Sequence, residues 1–254
     1  MVMQMSHNQT MAPNTQYVAP AHLYAPRTDK ANKIQAMLEE QLGDELAHSA
    51  CLDIGCATGA ISNLLAPKFQ RLVGVEMDGR LVQLAAANAA PNAVFLRSDG
   101  GKLPFPDAAF DLILCTQVYE HTDNQHELAA EIWRTLKVGG VCFFSGPNKL
   151  IVMEEHYWLP FLSWLPQSWA DVYMQLTRRG AYYDVLPLTY WQLRKLWARF
   201  EIVDYTTKMV TAPERYSVTQ HLGVLRWLHH LPTPFWRAAL PLLPNYSWML
   251  IKHG

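Results

Sequence analysis

The segment LDIGCATG, residues 52–59, joins an acid to small residues in a spacing that suits ligand binding. Asp53 ends an apolar run, and Gly55, Ala57 and Gly59 follow at every second position. Small residues after a first parallel strand let the backbone approach a ligand, and the next helix presents its amide groups there. Dinucleotide loops instead use G-x-G-x-x-G to bind a pyrophosphate. Because Asp53 would repel such an anion, this segment indicates a ligand with positive charge.

Two further carboxylates end the next two apolar runs. Glu76 ends RLVGVE, where an acid suits a bidentate hydrogen bond to ribose hydroxyls. Asp99 ends AVFLRSD, where it could accept a hydrogen bond from an adenine amino group. Together with Asp53, these acids indicate a ribonucleoside with a cationic or zwitterionic tail.

Short apolar runs alternate with helical stretches and place these acids at strand ends. Uninterrupted apolar runs suit strands buried on both faces, and the alternation implies a parallel sheet covered by helices. The predicted strands are 50–54, 71–76, 93–99, 110–115, 141–146, a strand near 201–209 and 245–252. The predicted helices are 28–42, 59–66, 79–89, 123–136 and 189–199.

Four segments taken in order resemble the class I S-adenosylmethionine-dependent methyltransferases, closest to the type 11 small-molecule group. They are LDIGCATG, VGVEMD, RSDGGKLPFPDAAFDLILCTQVYEH and LKVGGVCFFSGPN. The resemblance covers about residues 30–148 and departs at Ala57, where the family most often has glycine. It implies an α/β fold with a Rossmann-like, doubly wound seven-stranded sheet in the order 3-2-1-4-5-7-6. The last strand would be antiparallel, with an aromatic helical insertion after strand 5.

The resemblance implies S-adenosylmethionine as the cofactor and gives roles to nine residues. Asp53, Gly55 and Gly59, with Ala57 between them, would surround its methionine part. The remaining positions are Glu76 at the ribose, Met77 beside the adenine, Asp99 and Gly100 at the adenine amino edge, and Gln117 near the sulfonium.

The implied reaction is methyl transfer to a small-molecule acceptor, with O-methylation favoured. The sequence CTQVYEH after the fourth strand lacks the N/D-P-P-[YF] that resembling enzymes use for amide or adenine nitrogen. The aromatic insertion, residues 149–188, favours an apolar or sugar-bearing acceptor. Within it, His156 follows two glutamates and could remove a hydroxyl proton as a general base. The alternative is a solvated loop, and Tyr182, Tyr183 and Asp184 are secondary candidates.

Glu120-His121 and the tryptophan-rich stretches each allow both a structural and a functional interpretation. We interpret Glu120-His121 as a helix-start region, with Thr122 or Asp123 as the N-cap, rather than as a catalytic pair. The tryptophan-rich stretches fit a lid over the acceptor, a peripheral membrane surface, or the packing of extra helices.

Composition limits the classes of binding partner and the cellular compartment that we expect. The formal net charge of −1 gives no reason to expect nucleic acid. The four cysteines form no CxxC pair and no zinc-like cluster, which indicates a reducing, cytoplasmic location and no structural metal. No apolar run reaches the ~20 residues that span a bilayer.

The predicted organisation is a single catalytic domain after a short tail. Residues 1–27 resemble no secretory signal and are expected to be disordered or loosely ordered. Residues 28–254 would form the methyltransferase domain, including a C-terminal aromatic elaboration at 211–245.

Two rival functions remain open. An NAD(P)-dependent oxidoreductase would carry G-x-G-x-x-G and a group such as Tyr-x-x-x-Lys, and the sequence has neither. A non-catalytic, methyltransferase-like binding module would not need the acids at the three strand ends.

Overall fold

A computed structural model describes residues 27–216 and 230–254. Its seven-stranded sheet has the order β3-β2-β1-β4-β5-β7-β6, which confirms the predicted topology. Strands β1 to β5 pair in parallel, and β7 runs antiparallel to β5 and β6. The strands are β1 Ala50–Ile54, β2 Arg71–Glu76, β3 Ala93–Arg97, β4 Phe110–Thr116, β5 Leu136–Pro147, β6 Glu201–Asp204 and β7 Asn245–Ile251.

Eight α-helices connect or cover these strands in the part of the chain that the structure describes. Helix α3 begins where Asp78 accepts a hydrogen bond from the amide of Arg80, and α6 begins with a capping box between Thr189 and Gln192. The helices are α1 Thr28–Leu42, α2 Ala60–Leu65, α3 Gly79–Ala87, α4 Gln125–Thr135, α5 Gln167–Leu176, α6 Tyr190–Leu196, α7 Tyr205–Thr211 and α8 Thr233–Ala239.

Two apolar cores lie on the two faces of the sheet. One joins the sheet to α4 and α6, with Ile132 and Trp197 fully buried in it. The other joins the sheet to α1 and α2, with Ile34 and Leu65 buried. Every residue of β1 is buried, so the first strand has the two covered faces that its apolar run predicts.

Besides the end of β3, two local predictions are wrong. The strand predicted near 201–209 ends at Asp204, because its carboxylate accepts hydrogen bonds from the amides of Thr206 and Thr207 and starts α7. The N-cap of α4 is Asn124, not Thr122 or Asp123. Thr122 instead donates its hydroxyl to the carbonyl of Val118.

The insertion, residues 149–188, contains α5 and a small core of its own. Its buried members are Leu159, Leu162, Ala170, Met174, Tyr183 and Val185. By contrast, Trp158, Trp164 and Trp169 are exposed, whereas Trp197 and Trp248 outside the insertion are buried. Core packing therefore accounts for the latter two tryptophans but not for those three of the insertion.

Some predictions fall wholly or partly outside the described residues. These are the tail at 1–27, except for Arg27, and the middle of the elaboration at 211–245. In the described parts, none of the helices has both the length and the apolar character needed to cross a membrane. The four cysteines are buried free thiols.

Candidate active site

A cavity of about 510 Å³ lies at the carboxyl ends of the parallel strands. Open α/β sheets bind ligands at this edge, and the volume is typical of small-molecule sites. All the predicted cofactor residues except Asp53 and Gly59 line it: Gly55, Ala57, Glu76, Met77, Asp99, Gly100 and Gln117.

The loop after β1 needs small residues because its backbone is left-handed and crowded. Gly55 has φ +68°, and a Cβ atom there would lie 2.6 Å from Cγ2 of Val118. Ala57 also has a positive φ, 48°. A non-glycine residue tolerates this conformation at some cost. The alanine therefore keeps the loop shape that the family usually forms with glycine.

Glu76 organises the same loop from the end of β2. One carboxylate oxygen accepts a hydrogen bond from the amide of Ala57 (3.1 Å), and the other accepts from the amides of Met77 and Asp78. Charged acceptors strengthen such bonds. The carboxylate is thus fixed at the cavity wall, where its remaining lone pairs can receive ribose hydroxyls.

Asp99 lies in the turn after β3 rather than at the strand end. The strand stops at Arg97, and Oδ1 of Asp99 accepts a hydrogen bond from the amide of Gly101 (2.9 Å). Aspartate favours turns through such side-chain-to-backbone bonds. The strand thus ends two residues earlier than predicted, and the exposed carboxylate of Asp99 still lies on the cavity wall.

Asp53 is buried beside a second, smaller cavity of about 30 Å³ that shares Gly55 and Ala57 with the large one. Its carboxylate accepts a hydrogen bond from the hydroxyl of Ser62 (2.6 Å). Burial raises the pKa of Asp53 to about 6, against the opposing influences of Ser62 and the ammonium of Lys30. A space this small holds one or two water molecules.

Gln117 and Gly59 shape the site in different ways. Gln117 lies on the cavity wall with φ +57°, and its amide nitrogen donates to the side-chain oxygen of Asn245. Unusual backbone conformations of this kind concentrate at functional sites. Gly59 lies behind the loop, where a Cβ atom would be 2.9 Å from that of Ala85. Its role is to let α2 pack against α3.

His156 contacts His121, whose side chain lines the large cavity. Nδ1 of His156 is 2.7 Å from the buried carboxylate of Glu154, and its Nε2 is 3.2 Å from Nε2 of His121. His121 lines the large cavity, whereas His156 is not among the lining residues and is exposed. Of the secondary candidates, Tyr183 is buried and Asp184 accepts a hydrogen bond from the hydroxyl of Tyr157.

Glu120 is a functional candidate for which the sequence alone favours a helix-start role over a catalytic one. Its side chain is completely buried, and neither carboxylate oxygen has a hydrogen-bond partner among the described residues. Burial raises its pKa to about 7. A helix-start role does not explain a buried, unpaired carboxylate. The sequence did contain one indication of this cluster. Glu120-His121 follows β4 and Glu155-His156 follows β5, and these two strands are neighbours in the sheet.

Comparison with known proteins agrees with this geometry. Residues 52–144 match a family model described as a methyltransferase domain. A demethylmenaquinone methyltransferase from Tropheryma whipplei is 31% identical over 149 residues, which cover 56% of this chain and 60% of that protein. The chain spans about half the length of the curated relatives it matches.

Solved structures share the fold at low sequence identity. Phosphoethanolamine N-methyltransferase 2 from Haemonchus contortus, solved with S-adenosyl-L-methionine, is 15% identical with a TM-score of 0.57. That alignment covers 94% of this chain and 58% of the other. The [4+2]-cyclase SpnF is 18% identical with a TM-score of 0.53, over 87% and 81%. The family match over residues 52–144, together with the sheet order, supports a class I S-adenosylmethionine-dependent methyltransferase.

Proposed function

We propose that the protein transfers the methyl group of S-adenosylmethionine to an oxygen of an apolar or sugar-bearing small molecule. The observation that carries the cofactor half of this proposal is the shared cavity. Glu76 ends β2, Asp99 and Gln117 follow β3 and β4, and all three line it. A cofactor bound across this cavity would place its ribose at Glu76, its adenine base at Asp99 and its sulfonium at Gln117.

The cofactor supplies a strongly electrophilic methyl group, so the chain's own contribution is alignment and the exclusion of water. Glu76 would fix the ribose, Met77 would cover the adenine, and Asp99 with Gly100 would face its amino edge. Asp53 would compensate the positive charge of the methionine part. Gln117, held by Asn245, would lie next to the sulfonium.

The acceptor side of the proposal depends on the insertion. We predict that His156 takes the proton of the acceptor's hydroxyl group. This prediction is supported by the carboxylate of Glu154, which holds Nδ1 and turns Nε2 toward the cavity side. A relative is named for demethylmenaquinone as its acceptor, which supports a small-molecule acceptor for this chain.

We also propose that the insertion touches a membrane surface from which an apolar acceptor could enter. Trp158 and Trp169 are 68% and 69% exposed. Arg178 and Arg179, just after α5, are exposed as well. Exposed aromatic rings with neighbouring positive charge suit the interface of an anionic bilayer. The cytoplasmic location is retained as part of this proposal, and cell fractionation tests it.

The experiment is an acceptor screen that detects S-adenosylhomocysteine together with a mass increase of one methylene in the acceptor. Quinols, phenols and glycosides are compared with amines and amides. Turnover confined to hydroxyl-bearing acceptors supports the proposal, and turnover confined to amines overturns its O-methylation part. Cofactor binding without turnover on any acceptor would favour the non-catalytic module.

A further inference from the structure

Acid-histidine pairs meet where the segments after β4 and β5 come together, at the boundary between the cofactor cavity and the insertion. We propose that Glu120, His121 and His156 bind a divalent transition-metal ion of the Zn²⁺ type. One ligand atom from each of the three lies within 4.8 Å of the other two. Two imidazoles and a carboxylate form a donor set that zinc uses in catalytic sites.

The spacing of the two histidines matches metal coordination. Their Nε2 atoms are 3.2 Å apart. Two nitrogens bound to one tetrahedral zinc ion lie roughly 3.3 Å from each other. A hydrogen bond between the rings would give a similar distance, but it would leave the carboxylate of Glu120 without a partner.

Glu120 is the observation that points to a cation. It is 0% exposed and both oxygens lack a hydrogen-bond partner among the described residues. A buried carboxylate without partners is costly. The described groups that favour its ionised form are its own backbone amide, His156 and Lys30, whereas Glu155 opposes it. A metal ion would satisfy both the charge and the oxygen lone pairs.

Glu154 prepares His156 for this role. One of its oxygens lies 2.7 Å from Nδ1 of His156, and the other accepts hydrogen bonds from the backbone amides of His156 and Tyr157. A carboxylate on Nδ1 leaves Nε2 free to donate its lone pair. Histidines that bind metals usually have such an orienting carboxylate, which also makes them better ligands.

Three protein ligands leave a coordination position for the acceptor, and His121 already lines the cofactor cavity. A bound hydroxyl becomes more acidic and releases its proton to solvent. Its oxygen then forms the bond to the methyl carbon while the carbon–sulfur bond breaks, and the electron pair stays on the now neutral sulfur. The metal would therefore replace His156 as the agent of deprotonation. This catalytic role rests on the proposed function, whereas metal binding itself does not.

The test is calorimetric titration of tag-free, metal-free full-length protein with ZnCl₂, because a histidine tag would bind zinc itself. We expect one ion per chain, and an absorption spectrum typical of nitrogen and oxygen ligands when Co²⁺ is used instead. Glu154→Gln should weaken zinc binding about tenfold to a hundredfold. His121→Ala and His156→Ala should weaken it at least as much, and His48→Ala, at an exposed histidine far from the site, should not.

Glu120→Gln separates a metal ligand from a merely structural residue. It removes an unpaired buried charge, so the metal-free variant should melt at or above the wild-type temperature, yet zinc should no longer raise its Tm. The proposal is overturned if zinc does not bind to the wild type, or if it binds to His121→Ala and His156→Ala as tightly as to the wild type. Cofactor titration is run in parallel. S-adenosylmethionine binding and turnover that both stay intact in EDTA would overturn the catalytic role of the metal, whereas the zinc titration decides the metal site itself. Absent cofactor binding would overturn the proposed function instead.

Discussion

The cofactor half of the molecule, residues 50–147, and the insertion, residues 149–188, are stabilised in different ways. The first lies between two large apolar cores. The second has a small core and is joined to the first by hydrogen bonds at the boundary. The amide of Leu186 donates to the carbonyl of Glu120 (2.7 Å), and the amide of Leu188 donates to the hydroxyl of Tyr119 (3.1 Å). Extensive apolar packing therefore positions the proposed cofactor site, whereas the proposed acceptor site depends on a few polar contacts at the boundary.

The largest expected effect lies on the insertion side of this division. His156→Ala should lower turnover about 10²–10⁴-fold, because the proton of the acceptor loses its assistance. Cofactor affinity should stay close to wild type, since His156 does not line the cofactor cavity. Single-turnover kinetics and calorimetry measure the two quantities, with His48→Ala as the control. Full turnover in the variant would instead direct attention to Tyr182, Tyr183 or Asp184.

Glu76→Ala tests the cofactor half and should have the opposite signature. Hydrogen bonds to charged groups contribute about 1.5–3 kcal/mol, so S-adenosylmethionine affinity should fall roughly tenfold to a hundredfold. The first loop also loses its anchor at the amide of Ala57. Asp78→Ala, which loses the cap of α3 but no cavity residue, is the control for stability. A folded Glu76→Ala protein with unchanged affinity would exclude this residue from the site.

A smaller effect is expected from pH, through Asp53. The pKa of this carboxyl is about 6 without cofactor, because burial and the nearby Glu76 raise it more than Ser62 and Lys30 lower it. A cationic tail favours the ionised form, so protonation competes with cofactor binding. Affinity should be full above pH ~7 and should fall about tenfold as pH drops to ~5. In Asp53→Asn this dependence should disappear and affinity should be low throughout. An equally steep profile in the variant would assign the titration to another group.

The smallest expected effect concerns the exposed tryptophans of the insertion. Replacing Trp158 and Trp169 with alanine should weaken sedimentation with phosphatidylserine vesicles severalfold and leave cofactor affinity unchanged. Trp191, 60% exposed on α6 outside the insertion, is the matched control. Vesicle binding that depends equally on Trp191, or none at all in the wild type, would contradict a membrane surface at the insertion.

The same division explains what could be predicted from the sequence. The parallel sheet follows from apolar runs that repeat with a helix between them, and Glu76 follows from its place at a strand end. The strand order and the position of Gln117 come from the resemblance to the family. Local errors arise where a side chain captures backbone amides, as Asp204 does when it begins a helix inside a predicted strand. Such competition is decided by one residue and not by a periodic pattern.

The cluster at the boundary could not be found from spacing. Glu120 and His121 lie about 35 residues before His156 along the chain, and only the neighbouring positions of β4 and β5 bring them together. Whether Glu120 is paired depends on the packing of the insertion over it, which no local pattern encodes. Burial without a partner is visible only in three dimensions.

The central claim is that the large cavity binds S-adenosylmethionine, and calorimetric titration of the full-length protein with this cofactor tests it most directly. We predict saturable binding of one molecule per chain, binding of S-adenosylhomocysteine as well, and a loss of affinity in Glu76→Ala. NADH should give no heat of binding and no increase in Tm. Stabilisation by NADH together with no response to either methionine nucleoside would contradict the account.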